Sequence, residues 1–89
     1  MVNKISVMNF DKAFLGTMGI DARSGFTTMM LEDWEVKKAV IKSSEKCYIL
    51  ADKSKFNVRR FYTYGEFNEA TIITDSKIEF EDGRAKIIY

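Results

Sequence analysis

Apolar residues are gathered into short runs with almost no strict alternation, and each run closes on a glycine or an acid. Lys12-Ala13-Phe14-Leu15 ends on Gly16, Cys47-Tyr48-Ile49-Leu50-Ala51 ends on Asp52, and Thr71-Ile72-Ile73-Thr74 ends on Asp75. A run without alternation suits a strand covered on both faces, so the second and third predict buried strands and the first a short apolar strand. Between the first two, Val36, Ala39, Val40, Ser43 and Cys47 follow the i, i+3, i+4, i+7 spacing of a helix. Glu32, Asp33 and Glu35 sit early in it and Lys37, Lys38, Lys42 and Lys46 late, which complements the helix macrodipole. Thr28 is the predicted N-cap. Asp33 and Lys37 stand at i, i+4, a pair worth ~0.3 kcal/mol on an exposed face. Strand, helix and strand in this order predict right-handed crossovers and a mostly parallel sheet, hence an α/β fold.

The two ends differ from this middle. Val2, Ile5 and Met8 recur every third residue and predict two turns of helix leading into the first strand. Near the C-terminus, Asp82-Gly83 lies between Ile78-Glu79-Phe80-Glu81 and Arg84-Ala85-Lys86-Ile87-Ile88-Tyr89. That is a hairpin signal in which Glu81 faces Arg84 and Glu79 faces Lys86; the rival is an edge strand at Ala85-Lys86-Ile87-Ile88 beside a loop. With no proline, repeat or linker, residues 1–89 read as a single domain.

Composition removes several classes of function. The net charge of +1 is spread along the chain, so no basic tract marks a nucleic-acid surface. Histidine is absent and Cys47 is the only cysteine, which excludes internal disulfides and His-Cys zinc sites; no metal and no cofactor is expected. No apolar run approaches the ~20 residues of a membrane span. A cytoplasmic protein that does not meet a membrane is the expectation.

Candidate chemistry concentrates between Asp11 and Lys38. In an open α/β sheet, ligands bind beyond the carboxyl ends of the strands, and glycines let backbone N–H groups approach an anion; Gly16, Gly19 and Gly25 stand there. Asp21 either accepts ligand hydroxyls or holds its own turn. Thr27 and Thr28 are capping residues first and anion ligands second, since a helix N-terminus serves both. Glu35 can reach the crevice from the first turns of the helix. Lys37 is either a ligand contact or the solvated partner of Asp33. Asp52 closes a buried strand at the ligand edge, and Lys55 is either a point-charge partner for an anion or an ordinary loop lysine. Cys47 belongs to the core, whereas Trp34, Met29, Met30 and Phe26 suit packing or an interface. No nucleophile has an oriented base, so no catalytic residue is assigned; the rival is an isomerase-like pair, Asp21 and Glu35.

These residues also carry a family resemblance. Asp11-Lys12-Ala13-Phe14, Gly16, Gly19-Ile20-Asp21, Gly25, Thr27-Thr28, Glu32, Glu35-Val36-Lys37, Leu50-Ala51-Asp52, Ser54-Lys55-Phe56 and Ile73-Thr74-Asp75 resemble the C-terminal sensor domain of DeoR-family transcriptional repressors, from about Phe10 to Asp75. Asn9-Phe10-Asp11-Lys12 is similar to the lactose- and galactitol-type repressors of Gram-positive bacteria. The resemblance implies a partial three-layer domain with the fold of ribose-5-phosphate isomerase, glucosamine-6-phosphate deaminase and CoA transferases. It implies a phosphorylated-sugar effector held among Asp21, Thr27, Thr28, Glu35, Lys37, Asp52 and Lys55, and a homo-oligomer. DNA would be met only through an N-terminal helix-turn-helix that this chain lacks. An isomerase-like enzyme fragment and a stand-alone oligomerisation module are the alternatives. Met29-Met30, Trp34 and Asn57 depart from the family pattern.

Overall fold

The computed structural model describes residues 8–75 and 85–88. Strand β1 (Phe10–Gly16) is followed by β2 (Gly19–Asp21), β3 (Gly25–Thr28), helix α1 (Leu31–Ser43), β4 (Ser44–Leu50), a 3₁₀ turn (Lys53–Lys55), β5 (Tyr62–Gly65), β6 (Thr71–Ile73) and β7 (Ile87–Ile88). Four strands form one sheet in the order β1-β4-β6-β7, and every neighbouring pair in it is parallel. The α/β expectation with a mostly parallel sheet therefore holds.

The glycine-rich stretch is the first correction. It does not form an open crevice loop but an antiparallel hairpin, β2 and β3, which β5 extends to a second, three-stranded sheet. Its glycines serve close backbone approach. A Cβ at Gly19 would stand 2.3 Å from the Val58 carbonyl oxygen, and Gly25 has φ +76° with the Gly65 carbonyl where its Cβ would point.

Helix α1 is shorter than its apolar spacing suggests, and Cys47 lies in β4 rather than on it. Ser44 ends it, its N–H donating to the Ile41 carbonyl and its Oγ to the Val40 carbonyl at 2.5 Å, while its backbone turns extended to pair with Phe10. The N-cap is Met30, with no side-chain cap, instead of Thr28. Ile41 is the buried residue of α1, with Trp34 and Val40 packed beside it; Val36 and Ala39 are half-buried. Between β4 and β6 the chain makes the 3₁₀ turn and β5, with no α-helix.

At the C-terminus β7 pairs parallel with β6 and is the last strand of the sheet among the described residues, in line with the rival reading. The Asp82-Gly83 turn and most of the helix expected from its Val2, Ile5 and Met8 spacing fall outside the described residues; Met8 is exposed and not helical, and Phe10 already begins β1.

One face of the parallel sheet, carrying Ala13, Cys47, Ile49 and Ile72, is buried in a core shared with Ile41 of α1 and with Ile20, Phe26 and Tyr64 of the antiparallel sheet. Phe67 meets Phe26 edge-on at 5.4 Å. The antiparallel sheet is tied back to the parallel one through the 3₁₀ turn: Phe56 bridges Ile20, and the Val58 N–H donates to the Ile20 carbonyl at 3.1 Å.

Candidate functional site

Parallel strands all end at one edge, and here that edge presents Thr17 after β1, Ala51-Asp52 after β4 and Thr74-Asp75 after β6. Between the ends of β4 and β6 lies an open depression of about 390 Å³ lined by Leu50, Ala51, Asp52, Ile73, Thr74 and Asp75. Thr74 is only 7% exposed, and its Oγ1 has no hydrogen-bond partner among the described residues. Leaving a buried hydroxyl unbonded costs ~1–3 kcal/mol, so this oxygen marks where a polar group from outside would be welcome. Gly16 pairs with Leu50 at the same edge, and a Cβ there would meet open space.

Asp52 is shaped by the turn that follows it. Its carboxylate accepts the Ser54 N–H at 2.9 Å and the Ser54 hydroxyl, capping the 3₁₀ turn, and its carbonyl accepts the Lys55 N–H at 3.1 Å. The hydroxyl bond and then the N–H bond hold the Asp52 carboxyl below the usual carboxylate range against an opposing desolvation, and the Lys55 charge adds the least of the lowering. Asp52 and Lys55 thus stand in one turn at the carboxyl edge of the sheet, Asp52 lining the depression and Lys55 outside its lining.

Thr27 and Thr28 of β3 and Lys37 of α1 form a second group, linked through Thr17 and Tyr64 to the end of β1. Thr27 Oγ1 donates to the Gly19 carbonyl at 3.1 Å and accepts the Arg60 N–H at 2.9 Å. Thr17 Oγ1 donates to the carbonyls of Gly19 and Thr27, both at 3.2 Å. Thr28 Oγ1 donates to Asp33 at 2.8 Å and accepts the Met30 N–H at 3.4 Å. Lys37 pairs with Asp33 at 2.9 Å and lies 5.1 Å from the centroid of the Tyr64 ring. It is not solvated, since only 12% of its side chain is exposed. The Tyr64 hydroxyl donates to the Gly16 carbonyl at 3.4 Å, and burial pushes its pKa well above the ordinary phenol range. All three sequence-chosen residues here are engaged within the protein, Thr27 tying β3 to β2, Thr28 tying β3 to α1, and Lys37 lying between α1 and β5.

Asp21 stands at the tip of the β2–β3 hairpin, where one carboxylate oxygen accepts the N–H groups of Arg23 and Ser24 at 3.2 and 3.1 Å. It holds its own turn. Glu35 is exposed on α1, with no hydrogen bond or ion pair to another described residue. Trp34 donates its indole N–H to the Thr63 carbonyl at 2.8 Å, tilts against Tyr62 and carries Lys38 over its ring at 4.7 Å; it packs on β5 and does not line the depression. Sequence reasoning chose Asp52 and Lys55 but passed over Thr74 and Asp75. Their signal was the same as that of Asp52, a polar pair closing a buried strand.

A parallel sheet with acids, a lysine and an unpartnered hydroxyl at its carboxyl edge is the ground plan of a small-molecule-binding α/β domain. The chain belongs to the DeoR C-terminal sensor domain family, whose model matches residues 1–76. It is 37% identical over 81 residues to the uncharacterized HTH-type transcriptional regulator FruR of Bacillus subtilis, covering 89% of this chain and 32% of the relative. It is 33% identical over 78 residues to the HTH-type transcriptional repressor GlcR of the same organism, covering 88% and 30%. A glycerol-3-phosphate regulon repressor of Haemophilus influenzae is 34% identical over 68 residues, covering 76% and 27%. The chain therefore spans about a third of the length of the curated relatives it matches.

Proposed function

We propose that this chain is the effector-binding part of a DeoR-type transcriptional repressor of carbohydrate genes, and that it senses a phosphorylated sugar or polyol at the carboxyl edge of its parallel sheet. The observation that carries the reading is the depression between β4 and β6, with the Thr74 hydroxyl, unpartnered among the described residues, beside Asp52 and Asp75. Thr74 and the two carboxylates suit the hydroxyls of a polyol, each able to accept or exchange hydrogen bonds. Lys55 offers the phosphate a compact positive charge. The name of the glycerol-3-phosphate regulon repressor supports a phosphorylated ligand for the family.

In this reading the fold is the three-layer arrangement of ribose-5-phosphate isomerase, and the domain is a cytoplasmic, non-catalytic part of a homo-oligomer whose DNA contacts are made by another domain. Thr27, Thr28 and Lys37 line up the neighbouring strand end, Asp21 shapes the hairpin and Glu35 remains open to solvent. Effector binding acts by population shift: only the difference in affinity between two arrangements of the regulator can move DNA binding.

The test is an NMR titration of the chain with phosphorylated sugars, glycerol phosphate and their unphosphorylated counterparts. Amide shifts confined to residues 51–55 and 73–75, saturating with phosphorylated ligands alone and weakened by Lys55→Ala, are expected. Equal response to both ligand sets, or shifts elsewhere, would overturn the site.

A further inference from the structure

Where α1 leaves the antiparallel sheet, the protein displays an apolar surface that belongs neither to the core nor to the depression. Thr28 of β3 pairs with Tyr62 of β5, so Met29 and Phe61, the residues next beyond them, leave the sheet at the same end. Phe61 is 79% exposed, and Met29, Met30 and Leu31 are 55%, 54% and 49% exposed. A row of rings runs back from this end: Phe61 meets Tyr62 edge-on at 4.8 Å, and Tyr62 tilts against Trp34 at 6.3 Å. The frame beneath is fixed. The Val58 N–H donates to the Ile20 carbonyl at 3.1 Å and the Arg60 N–H to Thr27 Oγ1 at 2.9 Å, which pins the chain entering β5 to the hairpin while Arg59, Arg60 and Phe61 stay exposed. A pinned backbone has little freedom to lose on contact. Strand addition is obstructed at both edges of this sheet, since the Trp34 indole donates to the Thr63 carbonyl of β5 and Phe56 bridges Ile20 of β2, so contact falls to the side chains.

We propose that this surface is a two-fold contact between two copies of the chain, with Phe61 of each copy packed on the Met29–Leu31 segment of the other and Arg59-Arg60 of each set against Glu32 and Glu35 of the other. Exposed Met, Arg and aromatic side chains are the residues that interfaces favour, and the charges choose the occupant. Arg59 and Arg60 form one rim of the patch, and Glu32 and Glu35, close to Leu31 in the first turns of α1, form the opposite rim. All four are exposed, and none has an ion-pair partner among the described residues. An acidic partner would suit the arginines and be repelled by the glutamates, and a basic partner would meet the reverse. A two-fold axis lays one patch on its own copy and brings each rim to the opposite one. Met29, Met30 and Trp34 are also among the departures from the family pattern, so the contact is assigned to this chain and not to the family. It rests on the homo-oligomer of the proposed reading and not on the effector.

The experiment is sedimentation velocity of the 89-residue chain over a range of concentrations, without any sugar. A monomer–dimer equilibrium is expected, with Trp34 emission moving to the red on dilution as the row of rings meets water. Phe61→Asp changes an exposed side chain, keeps the fold by circular dichroism, and should weaken the dimer at least about tenfold by setting a charge against apolar surface. Two charge-reversed chains complete the test, one with Arg59→Glu and Arg60→Glu and the other with Glu32→Arg and Glu35→Arg. Each should stay monomeric alone, because both rims then carry one sign, and the two should form a 1:1 dimer when mixed. Association on mixing needs both chains folded, so loss of fold cannot imitate it. A dimer that survives Phe61→Asp, or reversed chains that stay apart on mixing, would overturn the surface while leaving the homo-oligomer. A parent chain monomeric at every concentration would overturn both. Because no ligand is present, a failed sugar titration is a separate result.

Discussion

Thr28 and Asp33 share a 2.8 Å hydrogen bond that fastens the first turn of α1 to the end of β3. The same Asp33 carboxylate holds the largely buried Lys37 ammonium at 2.9 Å. Asp33→Ala removes both at once and leaves a shielded cation without its partner, which costs more than an exposed helix pair. A loss of ~1–3 kcal/mol is expected, read as a lower urea midpoint at unchanged slope. A change within ~0.3 kcal/mol would mean that Lys37 finds water instead.

Asp52 should titrate below the usual carboxylate range because Ser54 donates to it twice. A carboxyl whose folded pKa is depressed contributes stability above its unfolded pKa and loses it as pH falls through the folded one. The Asp52 contribution should thus be complete at neutral pH and disappear only in the acid range. Ser54→Ala removes the largest cause and should move the pKa upward, toward the ordinary value. Carbon-detected NMR titration of the carboxyl measures it; an unmoved pKa would show that the N–H bond and Lys55 suffice.

Gly25 and Gly16 should answer oppositely to alanine. At Gly25 the positive φ and the Gly65 carbonyl oppose a side chain, so Gly25→Ala should destabilise by ~1–3 kcal/mol. At Gly16 the added methyl meets no atom within 4 Å, so Gly16→Ala should leave the thermal midpoint nearly unchanged while crowding the edge beside Leu50. Equal losses at the two positions would contradict the hairpin packing.

Cys47 sits in the core, and burial pushes its thiol pKa up, with Glu69 adding to the shift and a backbone hydrogen bond at Tyr48 opposing it. The thiolate is the reactive form. Labelling by a disulfide reagent at pH 8 should therefore be slow in the folded chain and fast in denaturant, its rate tracking the unfolded fraction. Fast labelling without denaturant would place the thiol at the surface.

The three strands of the parallel sheet that come first were legible because each short apolar run closes on a glycine or an acid. The run without alternation overstated the burial of β4: it reads as covered on both faces, yet Leu50 is 45% exposed. The antiparallel sheet was not legible, since its strands are only three or four residues long and Gly19 and Gly25 suggested a ligand loop as readily as a hairpin. The helix stop was hidden too, with no glycine or proline to mark it; pairing of Ser44 with Phe10, remote in sequence, ends α1. Asp52 and Lys55 could be chosen from a strand ending on an acid before a polar turn. Thr74 and Asp75 close their strand in the same way and were passed over; what no sequence pattern shows is that the Thr74 hydroxyl has no hydrogen-bond partner among the described residues.

The pairing of β1 with β4 has a consequence in time as well as in space. Phe10 meets Ser44 only after the hairpin and all of α1 have been synthesised, while Gly19 and Thr27 of the hairpin lie within one short stretch of chain. Loop-closure entropy makes such distant pairings slow, so the hairpin, closed by Asp21 and Gly25, is able to form early and the parallel sheet must wait. Until β4 arrives, β1 is an unpaired strand bearing Phe14 and Leu15, and it is during this interval that a nascent chain is most exposed to aggregation.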